Sequence, residues 1–310
     1  MIDNGSAAVA RRPKTEETPA LHNIWKTVFG DSDDEIDKFF ETYFEPQMSA
    51  VADSDSGIAS AAYLLPVGNI RSNGAALPCA MIYAVATLPE HRCKGCAAAV
   101  VRELISTALS AGFKATVLCP SDDSLFEYYS ARTPFREWFY AEEQAYSAAP
   151  PASGNIAKLA PAAPEEYMLI RETLLSGISH IEFDLRALSY QEFLCRRSGG
   201  GLYRAETSGG AACAALEKRT DNSIWIKELL APRTCENESL SAIAAAYPAP
   251  AYHAVTPVPI SSRTAAARRF GMLAVDAADA DGFKQADQAL ASPPSASYAP
   301  TMPYYGLAFD

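Results

Sequence analysis

The chain has 310 residues and a hydrophobic fraction of 49%, with 13 Phe, 15 Tyr and 3 Trp, enough apolar surface for two ordinary cores, which excludes a disordered chain. With 37 acidic against 26 basic side chains the formal charge is −11; such a surface speaks against nucleic acid and anionic membranes as partners and tilts toward cationic ones. No apolar run reaches the ~18 residues of a membrane-spanning helix, Met1-Ile2-Asp3-Asn4-Gly5 lacks the order of a secretory signal, and seven scattered cysteines form no disulfide framework, so a cytoplasmic setting is expected.

Residues 1–18 are polar and read as a flexible tail. Leu21, Ile24, Trp25, Val28 and Phe29 then recur at helical spacing. Gly30-Asp31-Ser32-Asp33 breaks that helix and caps a second one, whose apolar face is Ile36, Phe39, Phe40, Tyr43 and Phe44. Residues 49–55 and 57–66 read as a strand pair around Asp53-Ser54-Asp55-Ser56-Gly57. A turn over 68–74 leads to a strand over 80–88, closed by Pro89.

The next helix has the clearest period: Ala97, Val100, Val101, Leu104, Ile105, Ala108 and Leu109 make one stripe, stopped at Gly112. A buried-type strand over 114–119, a helix over 124–131 and a strand over 138–146 complete the first half. Residues 148–163 shift to Ala, Pro, Ser and Gly, which is linker chemistry. The second half reads as helices over 165–176 and 190–197, strands over 201–207, 211–219 and 223–231, a helix over 237–247 and a strand over 251–256. That order repeats the first half: Ile226-Lys227-Glu228-Leu229-Leu230 stands where 82–86 stands, and Arg269-Phe270-Gly271-Met272 parallels the helix-to-strand corner at 132–135, so a divergent internal repeat is expected.

The informative stretch is Thr87-Leu88-Pro89-Glu90-His91-Arg92-Cys93-Lys94-Gly95-Cys96-Ala97-Ala98, in which a strand runs through a tight loop into a helix that opens with small residues. Unused N–H groups and the helix dipole at such a start make an anion site. Gly95 and Ala97 let a pyrophosphate come close to the backbone, and Arg92 and Lys94 add positive charge at the rim. Arg92-x-x-Gly95-x-Ala97 after a strand, with Pro89 three residues before Arg92, resembles the signature of the GNAT acetyltransferase superfamily. A second block, Ser124-Leu125-Phe126-Glu127-Tyr128-Tyr129 followed by Phe135, looks like that family's final helix, although Arg132-Thr133-Pro134-Phe135 departs from its usual Gly-Phe.

The resemblance implies an α+β protein with a mixed central sheet flanked by helices, in two tandem halves. Residues 19–147 would be the acetyl-coenzyme A-binding domain and 164–310 a degenerate GNAT-like domain. It further implies acetyl-coenzyme A as co-substrate, with no metal. Val85, Ala86 and Thr87 would hold the pantetheine arm through their backbone, and Arg92, Cys93, Lys94, Gly95, Cys96, Ala97 and Ala98 the pyrophosphate. Tyr129, with Tyr128 as the alternative, would protonate the leaving thiolate, and the acceptor would be a small primary amine. No general base stands out: Glu90 and Asp122 read as surface groups, and His22, His91, His180 and His253 sit in no nucleophile or metal pattern.

Other readings of the same residues stay open. Cys93-Lys94-Gly95-Cys96 is also a redox-type C-x-x-C at a helix start, without the flanking Trp and central Pro of thioredoxin-like motifs. A non-catalytic coenzyme-binding module would keep the loop without the chemistry. In the second half the loop 231–238 has no glycine and places Glu236 and Glu238 where phosphates would sit, so that half is expected to form a substrate-side wall or a homodimer surface. The apolar ending 304–310 is read as a last strand, with a buried tail as the alternative.

Overall fold

The computed structural model describes residues 8–147, 158–232, 234–259, 267–276 and 301–309. The elements in chain order are β1 (Ala10–Arg11), α1 (Thr18–Phe29), α2 (Asp33–Tyr43), β2 (Ser49–Ser54), β3 (Gly57–Ser72), β4 (Ala75–Thr87), α3 (Cys96–Ser110), β5 (Ala115–Leu118), α4 (Asp123–Arg132) and β6 (Arg136–Tyr146). They continue with β7 (Leu159–Pro161), α5 (Pro164–Leu174), β8 (His180–Phe183), α6 (Leu185–Arg197), β9 (Gly201–Thr207), β10 (Gly210–Lys218), β11 (Ile224–Leu230), α7 (Glu236–Ala246), β12 (Tyr252–Thr256) and β13 (Ala267–Val275). The fold is α+β, mixed sheet flanked by helices. Its described residues fall into two units, one holding 8–66, 77–137 and 272–276, the other the remainder.

The first unit orders its strands β1-β2-β3-β4-β5, followed by residues 272–275 of β13. The β4–β5 step is parallel, Cys79 facing Ala115, which is why a helix, α3, has to connect them. Val100, Val101 and Leu104 of α3 are fully buried, each contributing about 1.5–3 kcal/mol. Leu109, expected in the same stripe, is 45% exposed at the end of the helix.

The expected tail is ordered from residue 8. Ala10 pairs with Ala52, and the Arg11 guanidinium donates to Asp53 at 2.6 and 2.8 Å and to Glu17 at 2.8 Å. Arg11, followed by Arg12 and Lys14, gives no local sign of a partner 42 positions away. Residues 1–7, and most of the expected linker, lie outside the described residues.

The second unit orders its strands β6-β12-β11-β10-β9-β7, with one parallel step, β11 to β12. The expected turn over 68–74 shrinks to Asn73-Gly74, both left-handed, and the strands on either side lengthen. Gly68 lies inside β3 because β8 passes against it: a Cβ there would stand 2.0 Å from the Glu182 carbonyl oxygen. The proposed corner at 269–272 is instead the interior of a strand, β13. The ending is a buried tail and no strand, with isolated bridges at Thr301 and Tyr304. Beneath it Arg171 Nε meets Glu228 Oε2 at 3.0 Å, both side chains fully enclosed, and Tyr167 donates to the same oxygen at 2.7 Å. A Cβ on Gly306 would lie 2.5 Å from both Arg171 Nη2 and Glu228 Oε1.

Candidate active site

Strand β4 carries one irregularity. Ala84 holds φ +48 in the middle of it, a conformation that interrupts the alternation of a strand and re-aims the groups on either side. Of the residues that follow, Ala86 and Thr87 are pinned by Ser60 of β3. Its fully buried hydroxyl donates to the Ala86 carbonyl at 2.7 Å and lies 2.9 Å from Thr87 Oγ1. Leu88 N–H donates to the Ala59 carbonyl at 3.0 Å, so the strand leaves the sheet at a fixed point. Neither Ala84 nor Ser60 was a candidate from the sequence. A serine inside the apolar run 58–65 was the available sign, since a buried hydroxyl has to find a partner.

After Thr87 the chain makes a single 3-10 turn over Pro89–His91, where Arg92 Nε donates to the Thr87 carbonyl at 3.4 Å. Cys93 at φ +62 and Gly95 at φ +82 then turn the backbone twice into the left-handed region within three residues. Gly95 is the N-cap of α3, and no side chain caps that helix. The N–H groups of Cys96, Ala97 and Ala98 therefore have no intrahelical acceptor and no capping oxygen. Arg92, Cys93, Lys94 and Gly95 are all exposed, and a Cβ on Gly95 would meet nothing within 4 Å. The first turn of α3 contains no acidic residue. An open helix start, small residues and two exposed cations together form a place for an anion.

Tyr129 lies on the buried face of α4, in the same apolar cluster as Ile82, Cys96 and Val100, and Val85 and Tyr128 pack against that cluster. The structure thus gathers the end of β4, the start of α3 and both candidate tyrosines around one core. Tyr129 is 6% exposed, and burial, with smaller contributions from Tyr128 and Asp122, raises its phenol above the ordinary value, keeping it protonated. Tyr128 is half-buried, its ring 4.8 Å beneath the Arg132 guanidinium. Asp122 caps α4, accepting from Ser124 N at 2.9 Å and Leu125 N at 3.2 Å, and its carboxyl is held low chiefly by the Ser124 hydroxyl. Of the histidines, His91 ends the 3-10 turn of the loop, 3.5 Å from the Ser56 hydroxyl, and His22 faces Asp37 at 3.2 Å; in the second unit His180 is buried beside Glu172 and His253 stacks on Trp225.

In the second unit the turn between β9 and β10 packs on the start of α7. The Ser208 N–H donates to Glu238 at 2.9 Å and the Ser208 hydroxyl bonds the same carboxylate. A Cβ on Gly209 would stand 2.8 Å from Cys235 Sγ at the N-cap of α7. Arg233 lies outside the described residues.

Residues 9–132 match the profile of the acetyltransferase (GNAT) domain, a span that contains Ser60, the whole β4–α3 loop and Tyr129. No curated protein matches the sequence. Among solved structures, the fold is similar to a GCN5-related N-acetyltransferase from Kribbella flavida at TM-score 0.65 and 16% identity, covering 90% of this chain and 74% of that one. It is also similar to one from Anabaena variabilis at TM-score 0.64 and 14% identity, covering 86% and 72%. Residues 9–132 are thus similar to the acetyltransferase (GNAT) domain, and the chain shares its mixed-sheet fold with the GCN5-related N-acetyltransferases.

Proposed function

We propose that the first unit binds acetyl-coenzyme A at the β4–α3 loop and transfers the acetyl group to the primary amine of a small acceptor. The observation that carries this reading is the uncapped start of α3 at Gly95, open to solvent and flanked by Arg92 and Lys94. The N–H groups of Cys96, Ala97 and Ala98, with the two cations, hold the pyrophosphate. The backbone of Val85, Ala86 and Thr87, the last two held by Ser60, pairs with the pantetheine arm.

The amine nitrogen attacks the thioester carbonyl carbon, and a backbone N–H of β4 stabilises the oxyanion, a donor type whose loss costs about 10²–10³ in rate. The carbon–sulfur bond breaks, and Tyr129 gives its phenolic proton to the departing thiolate. The proton that the attacking nitrogen sheds as the amide forms passes to solvent, which returns one to the Tyr129 phenolate. The formal charge of −11 supports a cationic acceptor. We further read the second unit as a degenerate copy of the first, because its order β9-β10-β11-β12 has its parallel step in the corresponding place.

The test is thiol release from acetyl-coenzyme A across polyamines, aminoglycosides, amino acids and peptide N-termini. Turnover with at least one amine class, carried by wild type and lost in Gly95→Glu, is expected. Coenzyme binding without turnover on any of them would make the protein a coenzyme-binding module instead.

A further inference from the structure

Cys93 and Cys96 bracket the left-handed Gly95, and holding a pyrophosphate through the backbone gives neither sulfur a task. Their surroundings are unlike. Cys93 is the one exposed thiol of the seven cysteines, on a residue held at φ +62. Cys96 is 6% exposed, its side chain in the apolar cluster beneath α3. An accessible sulfur that can meet a reagent, followed by a shielded one able to displace it, is the division of labour a dithiol pair requires. The two stand three residues apart with a bend at Lys94 and Gly95 between them, and a disulfide spans about 4.4–6.8 Å between Cα atoms.

We infer that Cys93 and Cys96 form an oxidation site for low-molecular-weight disulfides, and that closing it shuts the anion loop. The Cys93 thiolate attacks one sulfur of the reagent, whose S–S bond breaks as one small thiol leaves, giving a mixed disulfide on Cys93. The Cys96 thiolate then attacks the Cys93 sulfur and releases the second small thiol. Two protein thiols have lost two electrons and two protons, and one reagent disulfide has become two thiols.

The consequence for the loop follows from where the sulfurs now lie. One side chain faces solvent and the other faces the core, whereas a disulfide requires the sulfurs about 2.05 Å apart. Either Cys96 leaves the core and unwinds the first turn of α3, or Cys93 leaves its left-handed conformation. Both movements disperse the N–H groups that form the anion site. By the same linkage, an anion bound there opposes closure. The effect on binding rests on the acetyl-coenzyme A reading above; the thiol chemistry does not.

The experiment treats the full chain with oxidised glutathione, removes the reagent, and follows intact mass, thiol alkylation and acetyl-coenzyme A titration before and after dithiothreitol. Wild type should lose the mass of two hydrogens, with Cys93 and Cys96 no longer alkylated, and its coenzyme affinity should fall about tenfold or more, as expected for several lost charge-assisted hydrogen bonds, then recover on reduction. Cys96→Ala should retain one glutathione on Cys93, and Cys93→Ala should show no change in affinity on oxidation, whatever its own starting value. Cys93 and Cys96 both remaining alkylatable in treated wild type would overturn the site. Closure with affinity within about twofold of the reduced protein would overturn its effect, since a displaced anion loop costs more than that. If reduced wild type does not bind acetyl-coenzyme A, the coenzyme reading fails, and mass and alkylation still decide whether the pair closes.

Discussion

Helices α3 and α7 both follow a strand that pairs in parallel with the strand after the helix, yet their first turns are treated in opposite ways. At α3 the N-cap is a solvent-open Gly95, the first turn is Cys96-Ala97-Ala98, and the exposed neighbours are Arg92 and Lys94. At α7 the first turn holds Glu236 and Glu238, Glu238 is bonded to Ser208, and the turn at Gly209 lies against Cys235. Neither helix start is capped by a side chain; one has two exposed cations beside it and no acid in its first turn, and the other is closed by two carboxylates and the turn packed against it. What separates them is the side chains of a few loop residues.

The largest effect should come from the closed unit. Arg171→Met leaves Glu228 buried without its cation, which should cost about 3–5 kcal/mol of stability and show as a lower urea midpoint. Acetyl-coenzyme A affinity per folded molecule should stay unchanged, and a selective loss of affinity in still-folded protein would remove the distinction between the units.

In the open unit, Gly95→Glu should weaken acetyl-coenzyme A binding by about 100-fold, or about 2.7 kcal/mol, by placing a carboxylate at the helix start. Gly95→Ala separates charge from backbone strain: at φ +82 with open space around it, the methyl should cost only ~1–2 kcal/mol of stability, read by thermal unfolding.

Tyr129→Phe should lower kcat about 10- to 100-fold with little change in KM for acetyl-coenzyme A. Because burial raises the Tyr129 phenol, its acid form persists to higher pH than an ordinary tyrosine's, and wild-type kcat should show no alkaline loss near pH 10 from this group. An ordinary phenol titration in kcat, absent in the Phe variant, would contradict that burial.

The smallest effect concerns the first strand of the open unit. Arg11 holds the Glu17 carboxyl down at about 2 from an ordinary 4.5, chiefly by hydrogen bonding. A depressed acid contributes its stability above its unfolded pKa and loses it as pH falls toward the folded value. Glu17→Gln should therefore flatten part of the decline in stability between pH 4.5 and 2 and change little at neutral pH. An acid limb identical to wild type would mean that the Arg11–Glu17 contact does not hold in solution.

Features whose causes are local could be read from the sequence. The period of Val100, Val101 and Leu104 gave α3, the run from Thr87 to Ala98 gave the loop, and the block around Tyr129 gave α4. Features caused by distant partners could not. Gly68 looks like a turn residue until β8 is seen against it, and the pairing of Arg171 with Glu228, 57 positions apart, leaves no mark in either segment. Ser60 belongs with them, because its partner is the carbonyl of Ala86 on the neighbouring strand.

The most direct test of the central claim is calorimetric titration of acetyl-coenzyme A into the reduced 310-residue chain. A single open site predicts a stoichiometry of about one per chain with a roughly micromolar dissociation constant. No heat would contradict the coenzyme site itself, and two equivalents would contradict the closure of the second loop.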